Sequence, residues 1–194
     1  MKRGARLKLI GLGAVAATTI VLSILALVAL NAGGEARVGP AALLRVAAGY
    51  ERRAQPLLSG PDAPSPEAAR AAIDLSNRAI VQYPYDTAAW LQLAYVDATQ
   101  HGGRLSPQGM AYLQRSYDLV AVDPDIGLWR IRFALETWPW LTFELHTAVA
   151  AEATALAATP RRQALADLRA NIQDPVGRLT LGLWLNRLDA KPGR

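Results

Sequence analysis

His101 and His146 are the only histidines in the chain, and there is no cysteine. A metal pair or an acid-base dyad on a helix needs a second histidine or a carboxylate at i+3 or i+4, and neither imidazole has one. Without cysteine there are no disulfides, iron–sulfur centres or thiolate zinc sites. Asp123 and Asp125 are close enough in sequence to act as an acid-base pair, but both flank Pro124, where helix capping accounts for them. There is no phosphate-cradling glycine loop, no Gly-x-Ser-x-Gly elbow and no dinucleotide fingerprint, and Gly11-Leu12-Gly13 falls inside an uncharged apolar run. These residues predict a protein that is not an enzyme, with no cofactor and no metal.

The densest unusual chemistry is aromatic: Trp129, Phe133, Trp138, Trp140 and Phe143 fall within fifteen residues. Aromatics at helical spacing pack into cores, but Pro139 separates Trp138 from Trp140, so the two need not face one interior. Tryptophan exposed beside Arg130 and Arg132 would suit a protein-binding hot spot or a platform on which a sugar stacks.

The elements that position these residues begin with an uncharged run. From Leu9 to Gly34 no side chain ionises, and Lys2, Arg3, Arg6 and Lys8 precede the run. About 20 apolar residues in a helix cross a hydrocarbon layer of roughly 30 Å, so residues 9–34 are read as a transmembrane anchor. The basic leader, residues 1–8, predicts a cytoplasmic N-terminus and an exported C-terminal part at a bacterial inner membrane. A cleaved signal peptide is the alternative, with a poor site after Ala36. Gly13 and Ala17 would permit close helix approach and homo-oligomerisation within the membrane, although an alanine-rich composition explains them equally.

The formal charge of +5 would suggest a nucleic-acid partner if it were spread over a surface. Four of the cations lie in the leader, however, and the 17 beyond it nearly balance 16 acidic residues. No basic stripe remains to follow a phosphate backbone, so nucleic acid is excluded as a partner.

Residues 35–66 are read as a juxtamembrane stalk, with a helix-compatible piece from Ala41 to Gln55 and then Pro56, Pro61, Pro64 and Pro66. Ser65-Pro66-Glu67 starts a helix that runs to about Gln82. Asp86 caps a second helix, to about Thr99, and the His101-Gly102-Gly103 turn ends it. Ser106-Pro107 starts a third, to about Ala121, and Asp125 caps a fourth, through Glu136. Leu141–Ala158, Arg161–Ile172 and a final helix from Pro175 to Leu188 complete the series. In the last of these, Leu181, Trp184, Leu185 and Leu188 share a face. No segment reads as a strand, so the fold class is all-α, in antiparallel helical hairpins.

Tyr83-Pro84-Tyr85-Asp86 followed by Trp90 matches Val122-Asp123-Pro124-Asp125 followed by Trp129, about 40 residues later. Ala72, Ala79 and Pro84 then stand at positions that close a repeat, and Trp90, Leu93 and Ala94 at positions that open one. This pattern resembles the tetratricopeptide repeat family over residues 67–158, with residues 159–194 as capping helices. It departs from the family at Asp97, where tyrosine is the rule, at Tyr112 and Leu119, where small residues are, and in the long turn from Gly102 to Pro107.

The resemblance implies a stack of hairpins with a concave groove that binds extended segments, lined by Leu91, Tyr95, Arg130 and Ala134. With Trp138 and Trp140 these form the candidate partner-binding set. The function expected from anchor, stalk and hairpins is a membrane-anchored scaffold or adaptor that binds envelope or membrane proteins. An accessory role in envelope polysaccharide synthesis or export, with the tryptophans contacting glycan, is the alternative.

Overall fold

The computed structural model of the chain describes residues 18–24, 27 and 64–189. The leader, most of the 9–34 run and the stalk up to residue 63 lie outside the described residues. Residues 18–24 are helical, with Ile20, Val21, Leu22 and Ile24 exposed. Among the described residues no helix is long and apolar enough to cross a membrane.

Among the described residues from 64 to 189 every regular element is helical: α1 (Pro66–Gln82), α2 (Thr87–Gln100), α3 (Pro107–Leu119), α4 (Gly127–Glu136), a 3₁₀ turn (Trp138–Trp140), α5 (Phe143–Ala157), α6 (Arg162–Asn171) and α7 (Pro175–Asp189). Their starts follow local chemistry. Ser65 and Ser106 each precede a proline at the first helical position, and their hydroxyls accept from the Ala68 and Gly109 amides at 3.2 Å. Asp86 caps α2 through the Ala89 amide, 3.1 Å away. Thr142 opens α5 through the Leu145 amide, and Asp174 opens α7 through the Gly177 amide at 2.7 Å.

One cap differs from its sequence expectation. Asp125 does not cap α4, which starts after Ile126 with no side-chain cap; Asp123 instead closes the turn before it, its Oδ1 accepting from the amides of Asp125 and Ile126. The two Pro–Asp turns that suggested a repeat therefore use their aspartates differently. Their tryptophans diverge as well, since Trp90 donates its indole N–H to the Pro84 carbonyl while Trp129 packs beside the Tyr95 ring.

α1 packs on α2 through a layer of small residues, Ala69, Ala72, Ala79 and Ala89, with Leu75 and Val96. Alanines let the two backbones approach, and a buried hydrogen bond from Ser76 Oγ to Gln92 Oε1, 2.8 Å long, crosses the seam. α2 then packs on α3, and α4 gathers α5, α6 and α7 around itself. A single main core runs through both parts, from Leu91 and Ala94 in α2 through Leu113, Ile131, Leu135, Leu145, Val149 and Leu156 to Leu165, Ile172 and Leu181. α5 shows how the sequence specifies this core: its buried residues, Leu145, Val149, Glu152, Ala153, Leu156 and Ala157, recur at helical spacing.

Close approach fixes two glycines, to a neighbouring backbone at Gly177 and to a committed side chain at Gly109. A Cβ at Gly177 would stand 1.9 Å from the Leu135 carbonyl oxygen, and one at Gly109 would meet the Asp97 carboxylate at 2.0 Å. The turn after α2 needs glycine for a different reason, because Gly102 and Gly103 both have positive φ, at 65° and 84°.

Candidate functional site

The most polar point of the interior lies at Arg130, which the sequence placed on a groove. It is instead wholly buried, as is Glu152 of α5. The guanidinium Nε donates to Glu152 Oε2 at 3.0 Å and Nη2 donates to Glu152 Oε1, a forked ion pair. Nη1 donates to the Ser116 carbonyl at 2.9 Å, and Nη2 also reaches the Val120 carbonyl at 2.9 Å. The flat face of the group lies 4.0 Å above the Tyr117 ring.

The network extends further. Glu152 Oε1 accepts from the Asp123 amide at 3.1 Å, Thr87 Oγ1 donates to Asp123 Oδ2 at 2.7 Å, and Ser116 Oγ donates to the Thr87 carbonyl. Arg130 thus ties the end of α3, the following loop and α5 together, and Asp123 joins the start of α2 to them. Every donor of the guanidinium is engaged with protein, so this cluster is structural and offers nothing to a substrate.

The charges in the network respond to their surroundings. Burial would raise the Asp123 carboxyl, but the hydrogen bonds from Thr87, Asp125 and Ile126 and the nearby Arg130 charge outweigh it and hold the group below the ordinary value of 3.8. Asp86 moves the other way: burial raises it above 3.8, the Ala89 and Ala88 amides oppose this, and the Asp123 charge adds to the rise. Tyr117 is pushed well above its ordinary 10.0, first by burial and then by the Glu152 charge. Its hydroxyl is buried with no hydrogen-bond partner among the described residues.

The other groove candidates also turn inward. Leu91 is in the core, and Tyr95 is half-buried with its ring against Trp129 and Phe133, at 6.3 and 5.8 Å between centroids. Ala134 is fully buried. The physical reason is that α2 is enclosed: no residue from Thr87 to Thr99 is exposed, because α1 covers one side and α3 another. A groove assignment presumes a helix with one open face, and α2 has none.

Trp138 and Trp140 part company across Pro139, as their spacing allowed. Trp138 is half-buried, its ring 4.0 Å from that of His146 and 5.4 Å from that of Trp184 in an edge-on contact. His146 Nε2–H donates to the Trp138 carbonyl, which gives this histidine a packing role. Trp140 is 48% exposed and carries the Arg104 guanidinium 4.1 Å from its ring centre. Phe143, in the first turn of α5, is 79% exposed. His101 lies at the exposed end of α2 and donates from Nδ1 to the Asp97 carbonyl, with the Asp97 carboxylate, four residues before it in sequence, 3.5 Å away. Asp97 is committed to the α3 cap by the Ser106 amide and hydroxyl, at 2.8 and 2.6 Å. Among the described residues no three His, Cys, Asp or Glu side chains come together to hold a metal ion.

The exposed surface features that the sequence missed are on α7. Its inner face is the one anticipated, with Leu181 buried and Trp184, Leu185 and Leu188 packed against the core. Val176, Leu179 and Leu183 form a second stripe on the opposite side, exposed to solvent. The signal was present at i, i+3 and i+7, but it was masked by the stronger inner pattern.

Among the described residues the fold is all-α, built of short helices around a buried polar cluster at Arg130, and its unusual surface is aromatic and aliphatic. In comparison with known proteins the chain matches no family model, no curated sequence and no solved structure.

Proposed function

We propose that the chain is a membrane-anchored helical adaptor that holds a partner protein at the outer face of a bacterial cytoplasmic membrane. The anchor rests on the uncharged run 9–34 and its cationic leader, and the tetratricopeptide-like character rests on the sequence pattern. The observation that carries the adaptor reading is the exposed pair Trp140 and Phe143, with Arg104 over the Trp140 ring. Large aromatics and arginine are the residues that contribute most to protein interfaces when water is driven from around them. The interior cluster of Arg130 and Glu152 is closed, which leaves binding as the work of the surface.

The test is photo-crosslinking in intact cells from a probe at Phe143, followed by affinity purification from detergent-solubilised membranes. An envelope or membrane protein captured by the parent chain should be lost from the W140A/R104A variant, whose far-UV circular dichroism should be unchanged. Capture that is insensitive to those substitutions would overturn the assignment of the surface. An exposed indole also suits the alternative of an accessory role in envelope polysaccharide synthesis or export. Arg104 already occupies a position over the Trp140 ring, which favours the protein partner over a stacked sugar; glycan-dependent quenching of tryptophan fluorescence distinguishes the two.

A further inference from the structure

α7 is apolar on two opposite faces, and only one of them is used inside the molecule. Leu181 is buried and Trp184 lies against Trp138, whereas Leu179 is 61% and Leu183 54% exposed on the far side, in line with Val176. α1 turns a mostly polar surface outward, with an Asp74–Arg78 ion pair at 2.9 Å and Val81 as its one exposed large apolar side chain. The outer face of α7 instead lines up three apolar side chains, Val176, Leu179 and Leu183.

Exposed cations flank the stripe, Arg187 beside Val176 and Leu183 by helical spacing and Arg178 about 100° round the helix from Leu179. Arg178 and Arg187 are exposed on α7, and Arg169 of α6 lies along it, 3.2 Å from where a Cβ at Gly182 would stand. None of these three arginines has a carboxylate at ion-pair distance among the described residues. The nearby acids are engaged elsewhere: Asp174 caps α7 through the Gly177 amide, and Glu136 accepts from the amides of Gln173 and Asp174 at 2.9 to 3.0 Å. An apolar line on a single helix, bordered by cations, matches a helix that lies in the surface of an anionic bilayer.

Chain connectivity favours the same occupant. Between the predicted membrane run and the first described residue of the domain lie residues 35–63, which reach roughly 100 Å at full extension. A tether of that length keeps the domain at high effective concentration beside one bilayer, so even a weak surface contact is populated.

The geometry points to the outer face of α7, through Val176, Leu179 and Leu183 with Arg178 and Arg187, as a docking surface for the anionic headgroup region of the membrane in which the chain is anchored. This inference rests on the membrane-anchored reading. Docking leaves the two ends of the helix series unequal: α7 lies against lipid and α1 faces away.

The chain has no cysteine, so a single introduced one is a unique attachment point. Full-length L179C and L183C, with I20C in the predicted span and A71C on α1 as references, are labelled with an environment-sensitive nitrobenzoxadiazole dye. The proteins are reconstituted in vesicles of phosphatidylcholine and phosphatidylglycerol that carry nitroxide near the headgroups or deep in the acyl chains. Shallow nitroxide should quench positions 179 and 183 at least about twofold more than position 71, and deep nitroxide should quench position 20. High salt, removal of phosphatidylglycerol or the R178Q/R187Q substitutions should reduce quenching at 179 and 183 while leaving position 20 unchanged. Quenching at position 20 with none at 179 and 183 would overturn the docking surface and leave the anchor intact. Disulfide formation between copies of unlabelled L183C under copper–phenanthroline oxidation, with no quenching of the labelled protein, would assign the face to a second copy of the chain. Loss of quenching at position 20 as well would overturn the anchored reading itself.

Discussion

Glu152→Ala should destabilise the domain more than any other single substitution of a polar side chain. The carboxylate accepts from Arg130 Nε, Arg130 Nη2 and the Asp123 amide, and both members of the ion pair are wholly buried. Its removal leaves a cation in the interior with three carbonyl bonds and the Ser116 hydroxyl but no countercharge. Breaking one side of a buried pair in this way costs about 3–5 kcal/mol. A domain of this size has a total stability of roughly 6–18 kcal/mol at about 0.05–0.15 kcal/mol per residue, so the loss is a large share of it. Urea unfolding of the full chain in mild detergent, followed by far-UV circular dichroism, reads the effect as a lower midpoint at unchanged slope. The double variant R130M/E152L removes both charges and fills similar volume. The Val120 and Ala121 carbonyls that lose a donor belong to exposed residues and can turn to water, Ser116 keeps the Val120 amide on its carbonyl and the Thr87 carbonyl on its hydroxyl, and the Asp123 amide lies in a half-exposed turn. The double variant should therefore recover to within about 2 kcal/mol of the parent. A cost below about 1 kcal/mol for Glu152→Ala, or a double variant no better than the single one, would refute the view that an uncompensated buried charge governs this site.

Asp86→Asn should stabilise the fold at neutral pH by a few tenths to about 1 kcal/mol, because asparagine keeps the cap to Ala89 without a desolvated charge beside Asp123. Asp86 has a raised folded pKa, so its contribution to stability declines as pH rises through and above the ordinary carboxylate range, and midpoints measured across pH should lose that decline in the variant. Asp123 is the opposite case: its lowered pKa contributes stability above the unfolded value that is lost as pH falls below 3.8, and Asp123→Asn should flatten the acid limb of the same profile. Gly177→Ala should cost more than about 2 kcal/mol by thermal melting, since the added methyl meets the Leu135 backbone and neither helix can yield cheaply. Tyr117→Phe should be neutral or stabilising by up to about 1 kcal/mol in the same assay, because the hydroxyl it removes is buried without a partner while the ring under Arg130 is kept.

Helix positions were legible because the chain states them locally. Serine–proline at 65–66 and 106–107 and aspartate at 86 and 174 each stand where a cap hydrogen bond forms, and glycine at 102–103 stands where φ is positive. The placement of side chains around each helix was less legible, because that depends on how many neighbours a helix has. Leu91 and Tyr95 were placed on a groove by the repeat resemblance, yet none of α2 from Thr87 to Thr99 is exposed and its mixed composition carries almost no directional signal. Arg130 looked like a surface cation for the same reason. Its partner Glu152 lies 22 residues away, and no local pattern announces a buried charge that a distant carboxylate neutralises. Trp140 and Phe143 were separable from Trp138 because proline breaks the helical register between them. The outer stripe of α7 was readable in principle, since Val176, Leu179 and Leu183 share a face by spacing alone.

The alanine seam between α1 and α2 has a mechanical meaning. Any tension transmitted along the chain from residues before Pro66 enters the domain at α1, which is held mainly by small side chains and the Ser76–Gln92 bond. The rest of the fold is cross-linked by the Arg130 network and by the shared core from α2 to α7. A pull on the tether therefore peels α1 away first and extends the reach of the chain by one helix, before load reaches the Arg130 network through Thr87 at the start of α2.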